Sequence, residues 1–196
     1  IDDQGMREIE AIAAAGGGVS QVVYSQALSQ TVQMVTRKAM ASTIQGVVNS
    51  ELKQILGKSA SIEELPPDKR GEVIEVVDEL SETSALEVLV LVDSSASMKH
   101  KLPTVKESLI DLSISLNARV GENKFSLFIF PGKKEDVEKL VDWTPKLESL
   151  SKVFSKLTPR GITPTGPAIS EAIRYFGKKR SLRSLLSDDE QYYKES

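Results

Sequence analysis

Residues 85–93, ALEVLVLVD, constrain this chain more than any other stretch. Apolar side chains at nearly every position, with little alternation of polar and apolar, need cover on both faces, so the stretch reads as a strand in the middle of a sheet. Parallel strands need helical crossovers, and helical patterns flank this strand on both sides. Pro103 suits the first turn of a helix whose apolar face is Val105, Leu109, Leu112 and Leu116. KFSLFIF at 124–130 reads as a strand closed by Pro131-Gly132, EKLVDW at 138–143 as a weaker edge strand, LESLSKVFSKL as a helix, and 167–176 as another. Helices alternating with strands predict an α/β fold with a mainly parallel central sheet and helices on both faces. No internal repeat is visible.

The first part of the chain follows the same alternation. Met6, Ile9, Ile12 and Ala13 recur at helical spacing and stop at Gly16-Gly17-Gly18. Because these glycines follow a helix instead of opening one, and no Lys-Ser/Thr pair comes after them, they read as a helix stop and not a phosphate loop. VSQVVY at 19–24 is β-branched and predicts a strand. A long helical pattern over 26–56 carries Leu28, Val32, Val35, Ala39, Met40, Ile44, Val47, Val48, Leu52 and Ile55, and Gly57 ends it. The polar KSASIEELPPDKRGE with Pro66-Pro67 reads as a linker, after which Val73, Val76, Val77 and Leu80 predict a short amphipathic helix. Four regions result: 1–57, a charged linker with a short helix at 58–85, 86–177, and a basic then acidic tail at 178–196.

Composition excludes several classes of function. With no cysteine and one histidine, His100, neither a thiolate nor a histidine-rich metal site can be built, so any metal must be held by oxygen. A formal charge of −3 offers no general attraction for nucleic acid or an anionic membrane. No stretch is apolar enough to span a bilayer, and no secretory signal pattern opens the sequence, so a cytoplasmic location is expected. Lys178-Lys179-Arg180 with Arg183 reads as solvated surface, and Tyr192-Tyr193 as part of a flexible tail. His100 has no nucleophile or third residue to work with, so no catalytic role is assigned to it.

Directly after the apolar strand come Asp93, Ser94, Ser95, Ala96 and Ser97. The carboxyl edge of a parallel sheet is where open α/β folds bind ligands. One carboxylate with two hydroxyls at alternating positions, Asp93, Ser95 and Ser97, offers hard oxygen donors of low total charge, which suits Mg²⁺ because that ion keeps several waters. The same residue types also cap helices and make turns, and the short spelling alone does not separate the two readings. A second stretch, RGITPTGPAISEAI at 160–173, sets Thr163 and Thr165 in a Gly/Pro-rich loop ahead of a helix, able to present a hydroxyl at the same sheet edge.

Together, the DxSxS of Asp93, Ser95 and Ser97 and the later threonine loop with Thr163 resemble the von Willebrand factor type A (vWA) domain and its metal-ion-dependent adhesion site. The resemblance implies a Rossmann-like three-layer sandwich in which Asp93, Ser95, Ser97 and Thr163 hold Mg²⁺, or Mn²⁺ in its place, directly or through water. It also implies that an acidic residue of a protein partner completes the coordination shell. The family's remaining element, an aspartate in an apolar strand ending TDG, has no counterpart in these residues. Residues 1–57, helix to glycines to strand to long helix, look like the end of a vWA domain, and 86–177 like its beginning. That order implies either a circular permutation or the tail of one vWA domain followed by a truncated second. Permutation is preferred because the two pieces sum to nearly one domain, and the arrangement is similar to YabS-like vWA proteins of spore-forming bacteria, with the TDG-type strand expected upstream and a role around sporulation hinted at. Without that strand the central strand over 86–92 is expected to carry an unsatisfied edge.

The function expected is a Mg²⁺-dependent protein-protein interaction module without catalysis, no cofactor besides the ion, and no nucleic-acid or membrane partner. A regulatory or structural scaffold with a degenerate metal site, contacting partners through the long amphipathic helix, is the alternative. A metal-assisted hydrolase ranks third, since no general base in a shaped pocket can be named.

Overall fold

The computed structural model describes residues 3–57, 61–147 and 150–176, so the basic run, the tyrosine pair and the rest of the tail lie outside the described residues. In chain order the elements are α1 (Asp3–Ala15), α2 (Leu28–Leu56), α3 (Pro67–Thr83), β1 (Leu86–Asp93), α4 (Leu102–Asn117), β2 (Asn123–Phe130), β3 (Glu138–Thr144), α5 (Leu150–Phe154) and a further helix, α6, over 165–176. Short 3₁₀ turns occupy Ser25–Ala27, Ile62–Glu64 and Ala96–Met98. The protein is of mixed α and β structure and divides into two compact units. One runs through Leu86 and takes in Pro103–Asn123; the other takes Glu87–Leu102 and continues from Lys124.

The first unit is helical. α1 stops as the glycines predict: Gly17 adopts φ +66°, and the Gly18 N–H donates to the Ala13 carbonyl at 2.7 Å. The expected strand at 19–24 is a correction. Its backbone reaches Tyr24 in an extended conformation, with Val22 and Tyr24 largely exposed, but no described residue pairs with it. β-branched composition favours extension, whereas a strand exists only when a neighbour takes its N–H and C=O groups.

α2 runs for 29 residues and ends at Gly57. Its apolar stripe changes side along its length: Leu28, Val32, Val35 and Ala39 recur on one face, and Ile44, Val48 and Leu52 on nearly the opposite one. The bonding partners change with it. Near its start, Ser29 Oγ donates to Asp111 Oδ2 at 2.6 Å and Arg37 Nη2 to the Ser115 carbonyl at 3.1 Å, both on α4. Further on, Asn49 Oδ1 accepts the N–H of buried Ile62 at 3.0 Å, and α2 contacts α3.

The helix expected to be short is 17 residues long, because Pro67 occupies its first turn, where a missing N–H costs nothing. Buried Arg119 then braces the approach to β1. Its Nε donates to the Ser81 carbonyl at 2.7 Å, Nη2 to the Ser84 carbonyl at 2.8 Å, and Nη1 to Asn123 Oδ1 at 2.6 Å. Gly121 allows this close approach, since a Cβ there would sit 2.4 Å from the Ser84 carbonyl oxygen.

The second unit holds a three-stranded sheet in the order β1-β2-β3. Leu86 N–H donates to the Glu122 carbonyl at 2.8 Å and Ser94 N–H to the Phe130 carbonyl at 2.7 Å, the same sequence offset at both ends of β1, so β1 and β2 run parallel. β3 pairs antiparallel with β2, with register shifts around Leu127. Among the described residues the sheet is therefore mixed and not mainly parallel, and the most apolar strand lies at its edge. β2 takes the middle: Phe125 through Phe130 are buried, while β1 is half-buried almost throughout. The expectation for β1 rested on composition, and composition does not count the neighbours available to pair.

On one face Phe128, Phe130, Val137 and Ala168 form a core that Leu89, Leu91 and Tyr175 complete, so α6 covers this side of the sheet. Tyr175 meets Phe128 edge-on at 4.9 Å between ring centroids and stacks on Trp143 at 6.0 Å. Its hydroxyl donates to Asp142 on β3, which also accepts from Lys139 Nζ at 3.1 Å and from the Trp143 N–H at 2.9 Å. These hydrogen bonds, the tyrosine's first, lower the Asp142 pKa to about 2. No helix among the described residues is long and apolar enough to cross a membrane.

Candidate functional site

The site is built where β1 ends. Asp93 is half-buried as the last residue of the strand, and its Oδ1 accepts the Ser95 N–H at 2.7 Å, which folds the backbone into a tight turn. Ser94 and Ser95 are buried, and Ser97 opens to solvent. Ser94 locks the turn to β2: its N–H and its hydroxyl both donate to the Phe130 carbonyl, at 2.7 and 3.2 Å. The Ser95 and Ser97 hydroxyl oxygens stand 3.2 Å apart. One carboxylate and two hydroxyls thus gather within a single turn.

Thr163 arrives from a different part of the chain. The Arg160 N–H donates to the Ser94 carbonyl at 3.2 Å, which ties the 158–164 loop to the same strand end. Thr163 is exposed in that loop, and its carbonyl accepts the Thr165 N–H at 3.0 Å as α6 begins. The Arg160 bond therefore brings the start of the threonine loop to the end of β1, where Asp93, Ser95 and Ser97 share one turn, and Thr163 lies three residues further along that loop. His100, also exposed, lies just past the Ala96–Met98 turn.

The donor set suits a hard cation. It supplies oxygen only and a single negative charge, so a bound Mg²⁺ would keep waters and remain open to a further anionic ligand. Among the described residues no group of three His, Asp or Glu side chains is close enough to hold a metal alone, so the hydroxyls are essential to any ion at this turn.

Three cationic residues near the turn were not singled out from sequence. Lys133, Lys156 and Arg160 line a cavity of about 130 Å³ that opens against Ser94. Lys156 sits at the end of LESLSKVFSKL and Arg160 at the start of the threonine loop, and each reads locally as ordinary surface charge.

The sheet and the turn at its edge make this a protein of mixed α and β structure with a carboxylate and several hydroxyls gathered at one strand end. No family model matches the chain. It is 66% identical over 195 residues to the "Uncharacterized protein YabS" of Bacillus subtilis (strain 168), an alignment that covers 100% of this chain and 80% of that protein. The chain belongs to the YabS family. A crystal structure of an uncharacterized protein from Alicyclobacillus acidocaldarius superposes with a TM-score of 0.82 at 39% identity, covering 92% of this chain and 78% of the other. About a fifth of each of these two relatives lies outside the match.

Proposed function

We propose that this chain is a vWA-type interaction module that binds an acidic residue of a protein partner through Mg²⁺, without catalysis of its own. Asp93, Ser95, Ser97 and Thr163 would hold the ion, directly or through water, and the partner's carboxylate would complete its shell. The observation that carries this reading is the Arg160 N–H bond to the Ser94 carbonyl, which joins the threonine loop to the DxSxS turn. Ligands contributed by two distant stretches make a site, whereas a helix cap or turn needs only one.

The fold proposed is a permuted three-layer vWA sandwich in which a TDG-type strand from outside these 196 residues pairs with the outer edge of β1. The edge position of a strand as apolar as β1 supports it, and the greater length of the relatives leaves room for such a strand. Calorimetric titration of Mg²⁺ and Mn²⁺ into the chain, with Asp93→Ala as control, tests the ion site. Heat that disappears in the variant supports it. Silence in the wild type, both alone and extended upstream, would reject it.

A scaffold role through α2 is the second reading. No residue of this helix is fully buried, and Met34, Val47, Ile55 and Leu56 are each more than half exposed. Partner binding that survives chelation of divalent ions but fails on Val47→Asp would favour it.

A further inference from the structure

We infer that the cavity beside the Asp93 turn is a second anion subsite, so that the preferred partner segment is diacidic: one carboxylate goes to the ion and a neighbouring one to Lys156 and Arg160. The inference rests on the ion-site reading above. The cavity walls carry three cations and one carboxylate, Lys133, Lys156, Arg160 and Glu138. Glu138 is already engaged, because Lys133 Nζ lies 3.4 Å from its Oε1 and the Lys133 N–H donates to its Oε2 at 3.3 Å.

That leaves Lys156 and Arg160, both exposed, with no carboxylate within ion-pairing distance among the described residues. Among the described residues the lining thus has two positive charges without an ion-pair partner. Ile129, Pro131 and Leu157 add apolar surface to the wall beside Thr158, which lowers the local dielectric and strengthens the field inside. Glu135 and Asp136 of the same β2–β3 connection line a separate cavity together with Arg174, so they do not cancel this field from within. A volume near 130 Å³ admits one carboxylate head group with a little water and is too small for a nucleotide.

Position turns an anion pocket into part of a recognition site. Ser94 lines the cavity and lies between Asp93 and Ser95 in sequence, while Arg160, which also lines it, is bonded through its N–H to the Ser94 carbonyl. A single extended peptide can therefore serve both subsites with side chains a few residues apart. Charge also orders the two events. Asp93 repels a carboxylate until a cation covers it, whereas Lys156 and Arg160 attract one at any time.

The test uses fluorescence anisotropy on the full chain with labelled glycine-rich peptides of equal length. One peptide carries a single glutamate; the others carry two, separated by one to four glycines. With Mg²⁺ present, at least one diacidic spacing should bind about tenfold more tightly than the single-glutamate peptide. The Lys156→Gln/Arg160→Gln double variant should remove that gain, and an unchanged thermal midpoint would show that these exposed side chains do not carry the fold. If every diacidic peptide binds like the single-glutamate one, or the variant keeps the gain, the cavity inference is overturned while Mg²⁺-dependent binding of the single glutamate still upholds the ion site. If binding ignores Mg²⁺ and the gain still disappears in the variant, the basic cavity stands and the ion site falls.

Discussion

The two outer strands of the sheet are built on opposite principles. β3, EKLVDWT, has a charged residue at three of its seven positions, shifts register against β2, and binds the Tyr175 hydroxyl of α6 through Asp142. Charges, irregular pairing and an overlying side chain are the devices by which natural edges refuse further strands. β1, LEVLVLVD, has none of these between Glu87 and Asp93: five consecutive aliphatic residues lie half-buried or buried in a strand with one neighbour among the described residues. Its composition belongs to a strand with two neighbours. The contrast teaches that β3 is guarded as an edge whereas β1 is not, which fits the strand proposed above to pair with it.

The largest test of this contrast compares β1 with the strand that does have two neighbours. Phe125 of β2 is fully buried, so Phe125→Ala should cost about 3–5 kcal/mol by urea denaturation, while Leu89→Ala in half-buried β1 should cost roughly 1–2 kcal/mol. Equal costs would mean that β1 is already as well covered as β2. A second test lengthens the chain upstream by about a strand-helix-strand unit. Thermal unfolding should then sharpen and rise by several degrees, at about 2–4 °C per kcal/mol gained for a chain of this size, and the cost of Leu89→Ala should grow toward that of a central position. Coincident transitions for the two lengths would remove the missing-neighbour idea.

The smallest effect belongs to the guarded edge. Asp142 has a folded-state pKa of about 2 against an ordinary 3.8, so its contribution is fully present above pH 4 and is lost as the pH falls through 2. Its side chain is 66% exposed, so solvent screening holds that contribution below about 1 kcal/mol. Asp142→Asn should flatten this part of the acid limb of the stability profile, read by denaturant midpoints between pH 4 and 2. An unchanged acid limb would show that the Tyr175 contact does not secure β3.

Much of what proved readable was local. The glycine stop after α1, the Gly57 end of α2, the Pro103 start of α4 and the turn at Asp93 each follow from residues within a few positions of one another. The DxSxS turn in particular is held by Asp93 accepting the N–H two residues on, which any chain with that spelling can do. Pro66-Pro67 was the local exception, because a proline pair marks a linker and a helix start equally well.

Sequence alone thus determined the tight turn at Asp93, the residues Asp93, Ser95, Ser97 and Thr163 on which the proposed ion site rests, and the apolar character of β1. Only the tertiary structure decided that 19–24 finds no strand partner among the described residues, that β2 and not β1 is central to their sheet, and that Lys156 and Arg160 wall a cavity against Ser94. The physical reason is the same in each case. Propensity, capping and ligand chemistry are properties of a few adjacent residues, whereas pairing, burial and the pooling of charge depend on which distant segment arrives alongside.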